Sequence, residues 1–171
     1  MPNMATIIRQ HNDRVCQGSK QRDIQKSCNC RKPDTCPLNG KCLAGSVVYM
    51  ATVKASSGEK KYIGLTENPF KTRYSNHLTS FRNQKNENST ELSKHSWELK
   101  RKEIDYKVTW EILHDATACS NVSKRCNLCL AEKLAIILAD SASLLNSRTE
   151  LVSKCRHENK FYLSHFARSI T

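Results

Sequence analysis

The chain has 171 residues, with 28 Lys or Arg against 16 Asp or Glu, a formal charge of +12 and a sequence pI of about 9.4. That length suits one domain with a small appended module, and 38% apolar residues with a mean hydropathy of −0.62 require a compact core under a strongly polar surface. No apolar run approaches the roughly 18 residues that span a bilayer, and MPNMATIIRQHNDR lacks the apolar centre of a signal peptide. The excess positive charge therefore points to nucleic acid, not a membrane, as the polyanionic partner.

Residues 1–27 show little apolar periodicity beyond MATII and are expected to form a basic, partly ordered arm. Residues 28–45, CNCRKPDTCPLNGKCLAG, supply turns but no core, so something must cross-link them. Cys28, Cys30, Cys36 and Cys42 are close enough in sequence to fill a tetrahedral zinc site, and zinc would supply the folding energy that the segment lacks. Nine cysteines without a secretory signal favour metal over disulfides. The expectation is thus an intracellular protein, not a secreted one, in which the NST and NVS sequons are chance matches.

The main domain is expected over 46–148. SVVYMATVKA and KKYIGLT have the β-branched and aromatic content of strands, and SSGE between them reads as the turn of a hairpin. Asn68 is placed as the N-cap and Pro69 as the first residue of a helix that buries Phe70, Tyr74, Leu78 and Phe81. NQKNEN reads as a polar loop, STELSKHSWELKRK as a helix packing through Leu92, Trp97 and Leu99, and YKVTWEILHDA as a third strand. NLCLAEKLAIILAD is almost wholly apolar and is expected to be the central buried helix. Cys126 and Cys129 offer a second zinc site with Cys155 and His157 if the tail, 149–171, folds back. The competing view is that these cysteines are small buried hydrophobes. The fold class expected is α/β, a small three-stranded, mainly antiparallel sheet flanked by helices, with a zinc-bound N-terminal extension.

On the first helix of this domain, Arg73 and His77 lie one turn apart along one edge of the apolar stripe. They would face a cleft there, or be ordinary boundary residues. Glu132 shares a face with Leu128, Ala135 and Ala139. An ionised carboxylate on an apolar face is costly unless a cation or hydrogen-bond donors meet it, which suggests a metal ligand or catalytic group. A salt bridge is the alternative, although Lys133 points away from it.

Tyr49 closing VVY, Tyr62 opening YIG, Arg73 on the next helix and Glu132 on a later one resemble the GIY-YIG nuclease family over roughly residues 46–148. The first motif departs from that pattern, with Val47 and Val48 in place of glycine and isoleucine. The resemblance implies a metal-dependent endonuclease that hydrolyses DNA phosphodiester bonds. Glu132 would hold one Mg²⁺ or Mn²⁺, and Arg73 would stabilise the pentavalent transition state. Tyr49 and Tyr62 would orient water and assist proton transfer, a role His77 would share, and Asn146 of LLNSR would be the closing asparagine. MPNMATIIRQHN, the cysteine cluster leading into VVYMATV, YIGLTENPFKTRYSNH, ELSKHSWELK and NLCLAEKLAII…LLNSR…CRH are similar to the endonuclease domain of Penelope-like retroelements. This implies a nuclear, nicking enzyme fused to or acting with a reverse transcriptase. No polymerase motif is present. Charge and cysteines fit equally a zinc-stabilised nucleic-acid-binding domain with an inactive nuclease fold, and less well a zinc-dependent protein-interaction module, whose ligand sets would interleave. The four polar residues favour activity.

Overall fold

The computed structural model describes residues 3–20, 27–116 and 126–155. Its centre is the hairpin of β1 (Val47–Ala55) and β2 (Gly58–Thr66), reversed at Ser56 and Ser57 and re-entered through Gly58, whose φ of 122° suits glycine. β3 (Tyr106–Asp115) pairs antiparallel with the other side of β1, giving the order β2-β1-β3. β1 is buried on both faces because helices cover both. α2 (Phe70–Arg82) and α3 (Glu91–Arg101) meet one face, where Leu92 and Leu99 join Tyr49, Ala51, Val53, Tyr62 and Phe70. α4 (Asn127–Leu138) lies on the other, with Leu128 and Ile136 against Val48 and Ile63. This division follows from the two-residue alternation of strand side chains.

The α/β class and the antiparallel sheet agree with expectation; several local features do not. Within the segment expected as a basic arm, residues Met4–Lys20 form a helix, α1, capped by Asn3 Oδ1 accepting from Ala5 N (3.0 Å). No proline interrupts that stretch, and glycine enters only at Gly18. NQKNEN is not an open loop, since Gln84–Ser89 winds as a 3₁₀ turn leading to Thr90, whose hydroxyl accepts from Ser93 N (3.1 Å) and caps α3. α2 begins one residue late: Pro69 takes the N-cap position without a side-chain bond, and the Asn68 carbonyl accepts from Thr66 Oγ1 (3.0 Å).

α4 is not a central buried helix. Leu130, Leu134, Ile137 and Leu138 are 49 to 76% exposed, because a sheet three strands wide offers α4 one seam to pack on. α5 (Arg148–Leu151) crosses the expected boundary at 148 and packs Leu151 into the α4 cluster. Among the described residues, no helix is long and apolar enough to cross a membrane.

Candidate active site

Tyr49, the third residue of β1, is fully buried and directly opposite Gly64 of β2. Gly64 is small for a reason: a Cβ there would lie 2.6 Å from Tyr49 Oη and 2.8 Å from Cζ, so the phenol crosses β2 only because position 64 has no side chain. Tyr62, opposite Ala51, projects from the same face. α2 then supplies Arg73 and His77. Arg73 Nε donates to Tyr49 Oη (3.0 Å), and Tyr49 Oη bonds to His77 Nε2 (2.8 Å). The guanidinium also engages the Tyr62 hydroxyl.

Arg73 can only donate, so Tyr49 accepts from it, and Tyr49 shares its second bond with a neutral His77 imidazole, whose tautomer sets which of the two donates. Burial, reinforced by the charge on Arg73, pushes His77 down to about 3. Burial pushes the Tyr49 hydroxyl up, with Arg73 opposing, and burial with the neighbouring Tyr49 pushes Tyr62 up as well. His77 therefore departs from the expected cleft-edge placement. It is 2% exposed, stacked on Phe81 and tilted against Trp110, and the core accepts it because its ring nitrogen has a partner. Arg73 is only half-buried. With Asn76 it lines two clefts of about 280 and 260 Å³, one towards Asn86 and Thr90, the other towards Thr66 and Asn68.

Glu132 arrives from the opposite face of the sheet, around the outer edge of β2, where it accepts from the backbone N–H of Leu65. Burial and the nearby carboxylate of Glu150 push it up to about 7, with Arg73 and Lys133 opposing. Lys133 Nζ donates to the Ser153 carbonyl (2.8 Å), and no Glu132 salt bridge forms among the described residues. Asn146 sits on the same edge, but as a clamp. Its Oδ1 accepts from Ile63 N (2.8 Å) and its Nδ2 donates to Ile63 O (2.7 Å) and to Glu150 Oε2. With Lys61 N bonded to Ser143 O (2.8 Å) and Leu145 N to Lys61 O (2.7 Å), the segment around Asn146 acts as a short extra strand that covers the β2 edge. Asn146 thus positions the strand carrying Tyr62 and holds Glu150, and its polar atoms are committed to those tasks. Glu150 is the site residue that sequence reasoning missed. It is half-buried, pushed up by burial with the Asn146 bond opposing, and it acts electrostatically on Glu132, Tyr49 and Tyr62.

The cysteines gather as two sets. The sulfurs of Cys28, Cys30, Cys36 and Cys42 all lie within 4.8 Å of one another, with Cys30–Cys42 at 3.7 Å and Cys28–Cys42 at 3.5 Å. A tetrahedral ion with metal–sulfur bonds of about 2.3 Å needs sulfurs about 3.8 Å apart, so the cluster could hold zinc with little adjustment. Asn39 and Gly40, both at positive φ (48° and 90°), turn the chain so that the N–H groups of Leu38 and Gly40 meet Cys36. Burial opposes ionisation of Cys36, yet those donors bring it down to about 6, while burial and the neighbouring sulfurs push Cys42 up to about 12. Cys126, Cys129 and Cys155 form the second set, so the chain does fold back to the start of α4 and could hold a metal there too. His157, its expected fourth ligand, lies outside the described residues.

The chain matches no protein-family model, no curated protein and no solved structure.

Proposed function

We propose that the protein is a divalent-metal-dependent DNA endonuclease of the GIY-YIG type, resembling the endonuclease of Penelope-like retroelements and acting in the nucleus with a reverse transcriptase. The observation that carries this reading is the chain Arg73–Tyr49–His77, anchored in the core and reaching a cleft where Arg73 is accessible and Glu132 feels its charge. An arrangement kept only for stability would have little use for a half-buried carboxylate pushed up to about 7.

Each residue has a task in phosphodiester hydrolysis. With Nε held by Tyr49, Arg73 keeps its Nη–H donors for Tyr62 and for two phosphate oxygens, whose charge grows in the pentavalent transition state. A water oxygen forms the new P–O bond as the bond to the leaving oxygen breaks. The water proton leaves to solvent through the cleft and the leaving oxygen takes one up from solvent, while Tyr49, fully buried and bonded to both Arg73 and His77, holds the guanidinium in place. Glu132, with Glu150 facing it, would hold the Mg²⁺ or Mn²⁺, an ion that supplies charge neutralisation at the phosphate. The cysteine sets would hold structural zinc.

Supercoiled plasmid incubated with the protein and Mg²⁺ is expected to accumulate nicked circles. Plasmid that is retarded on a gel but stays supercoiled would instead support the zinc-stabilised binding domain with an inactive nuclease fold.

A further inference from the structure

We infer that the four-cysteine cluster is a positioning device for Arg73: with metal bound, the backbone of Cys42 and Ala44 serves as the missing cap of α2. The inference rests on Arg73 being the phosphate-binding group, as read above. α2 starts at Phe70 after an N-cap, Pro69, that offers no side-chain bond, which leaves its first N–H groups in need of acceptors. Phe70 N donates to Ala44 O (2.8 Å) and Lys71 N to Cys42 O (2.7 Å). Arg73 is the fourth residue of that helix, so the turn being held is the turn that presents it.

Other contacts tie the same two units. Lys71 Nζ donates to Asn29 Oδ1 (2.6 Å), between Cys28 and Cys30, and Ser46 N donates to Glu67 O (3.0 Å). Leu38, between Cys36 and Cys42, packs into the core cluster of Tyr49 and Phe70. Besides these contacts the cysteine segment has one short regular element, the turn Pro33–Thr35, and single backbone bonds such as Asn39 N to Cys36 O (3.3 Å) and Leu43 N to Ser27 O (3.1 Å). Its shape depends on what holds the four sulfurs, and Cys42 is both a fully buried sulfur of the cluster and an acceptor for α2. The opposite wall of the site is independent of this, being fixed by Asn146 on Ile63. Metal occupancy should therefore set the placement of Arg73 while leaving Tyr62 and the β2 edge where they are.

Hydrogen exchange on the full chain tests this without needing DNA cleavage, so it stays decisive even if the nuclease reading fails. Because a chelator would also strip the Cys126, Cys129 and Cys155 set, the main arm is Cys30→Ser, a ligand whose own backbone does not cap α2. Relative to the zinc-loaded wild type, Cys30→Ser is expected to raise exchange at the Phe70 and Lys71 amides about tenfold, the size of a lost helix cap. The Ile63 and Leu65 amides should stay within about twofold, as expected of a local opening. Unchanged protection at 70 and 71 in a variant shown to lack that zinc would overturn the inference. So would an equal rise throughout β1 and β2, since the metal would then be a general staple and not a positioning device. As a control, Lys71→Ala keeps the backbone donor to Cys42, and a rise equal to that of Cys30→Ser would also count against the backbone route.

Discussion

Adding a methyl group at position 64 would place a carbon 2.6 Å from Tyr49 Oη, where neither the buried ring nor the β2 backbone can yield cheaply. Gly64→Ala is expected to cost about 1–3 kcal/mol as an overpacked core position. Because Tyr49 organises both Arg73 and His77, cleavage should also fall about a hundredfold, the penalty of roughly an ångström of misplacement. Denaturant unfolding and plasmid cleavage measure the two effects. Glu132 gives a second test, in which function and stability oppose each other. Its carboxyl is raised from 4.5 to about 7 by burial and Glu150, so its contribution to stability is full below about pH 4.5 and lost as pH rises through about 7. In metal-free protein at pH 8, Glu132→Gln should therefore raise stability by about 1–3 kcal/mol, a gain that vanishes near pH 4.5. A loss of stability at pH 8 would show that Glu132 is paired for structural reasons. At this scale the meeting of Tyr49, Tyr62 and Arg73 in one place was legible, because motif order marks them, and Glu132 stood out as an out-of-place charge. The burial of His77 was not, since the partner that makes it tolerable lies 28 positions earlier on a strand. Glu150 carries no spacing signal: only the fold-back of α5 and the Asn146 bond bring it in.

The elements differ in how much their sequences disclose. β1 and β3 fall within the segments expected for them, and β2 covers its expected run but starts two residues earlier, inside the expected turn, because β-branched and aromatic runs bounded by turn residues have few other uses. α4 misleads by composition. Leucine, isoleucine and alanine all round the helix suggest full burial, yet burial depends on how many partners the sheet can offer, and three strands offer one seam. Leu138→Glu, at a site 76% exposed, is expected to shift stability by less than about 0.5 kcal/mol. Leu128→Ala, at a fully buried site, should cost about 2–5 kcal/mol. Thermal unfolding of the two variants compares them directly, and similar losses would mean that the outer side of α4 is covered in solution. The start of α2 also escaped sequence reading. Asn68-Pro69 carries a strong local cap signal, but carbonyls from the cysteine segment occupy that place and leave the asparagine side chain no such role.

For the whole molecule, the charge of +12 was the earliest clue and remains the least specific, since basic groups report phosphate affinity without any base code. Binding to duplex DNA should weaken steeply with salt, by about tenfold or more between 50 and 200 mM if several phosphates are contacted. A salt-insensitive affinity measured by fluorescence anisotropy would argue against DNA as the partner. What composition could not convey is that the site straddles the sheet, with Tyr49, Tyr62 and Arg73 on one face and Glu132 and Glu150 reaching it round the β2 edge. The most direct test is the single-turnover rate of plasmid nicking at saturating Mg²⁺ by wild type, Arg73→Ala and Glu132→Gln. Each variant should cleave about a thousandfold more slowly or worse, as loss of a central transition-state or metal contact does. Glu132→Gln should still bind DNA about as tightly as the wild type. Nicking by both variants at the wild-type rate would contradict the assignment of this site to phosphodiester hydrolysis.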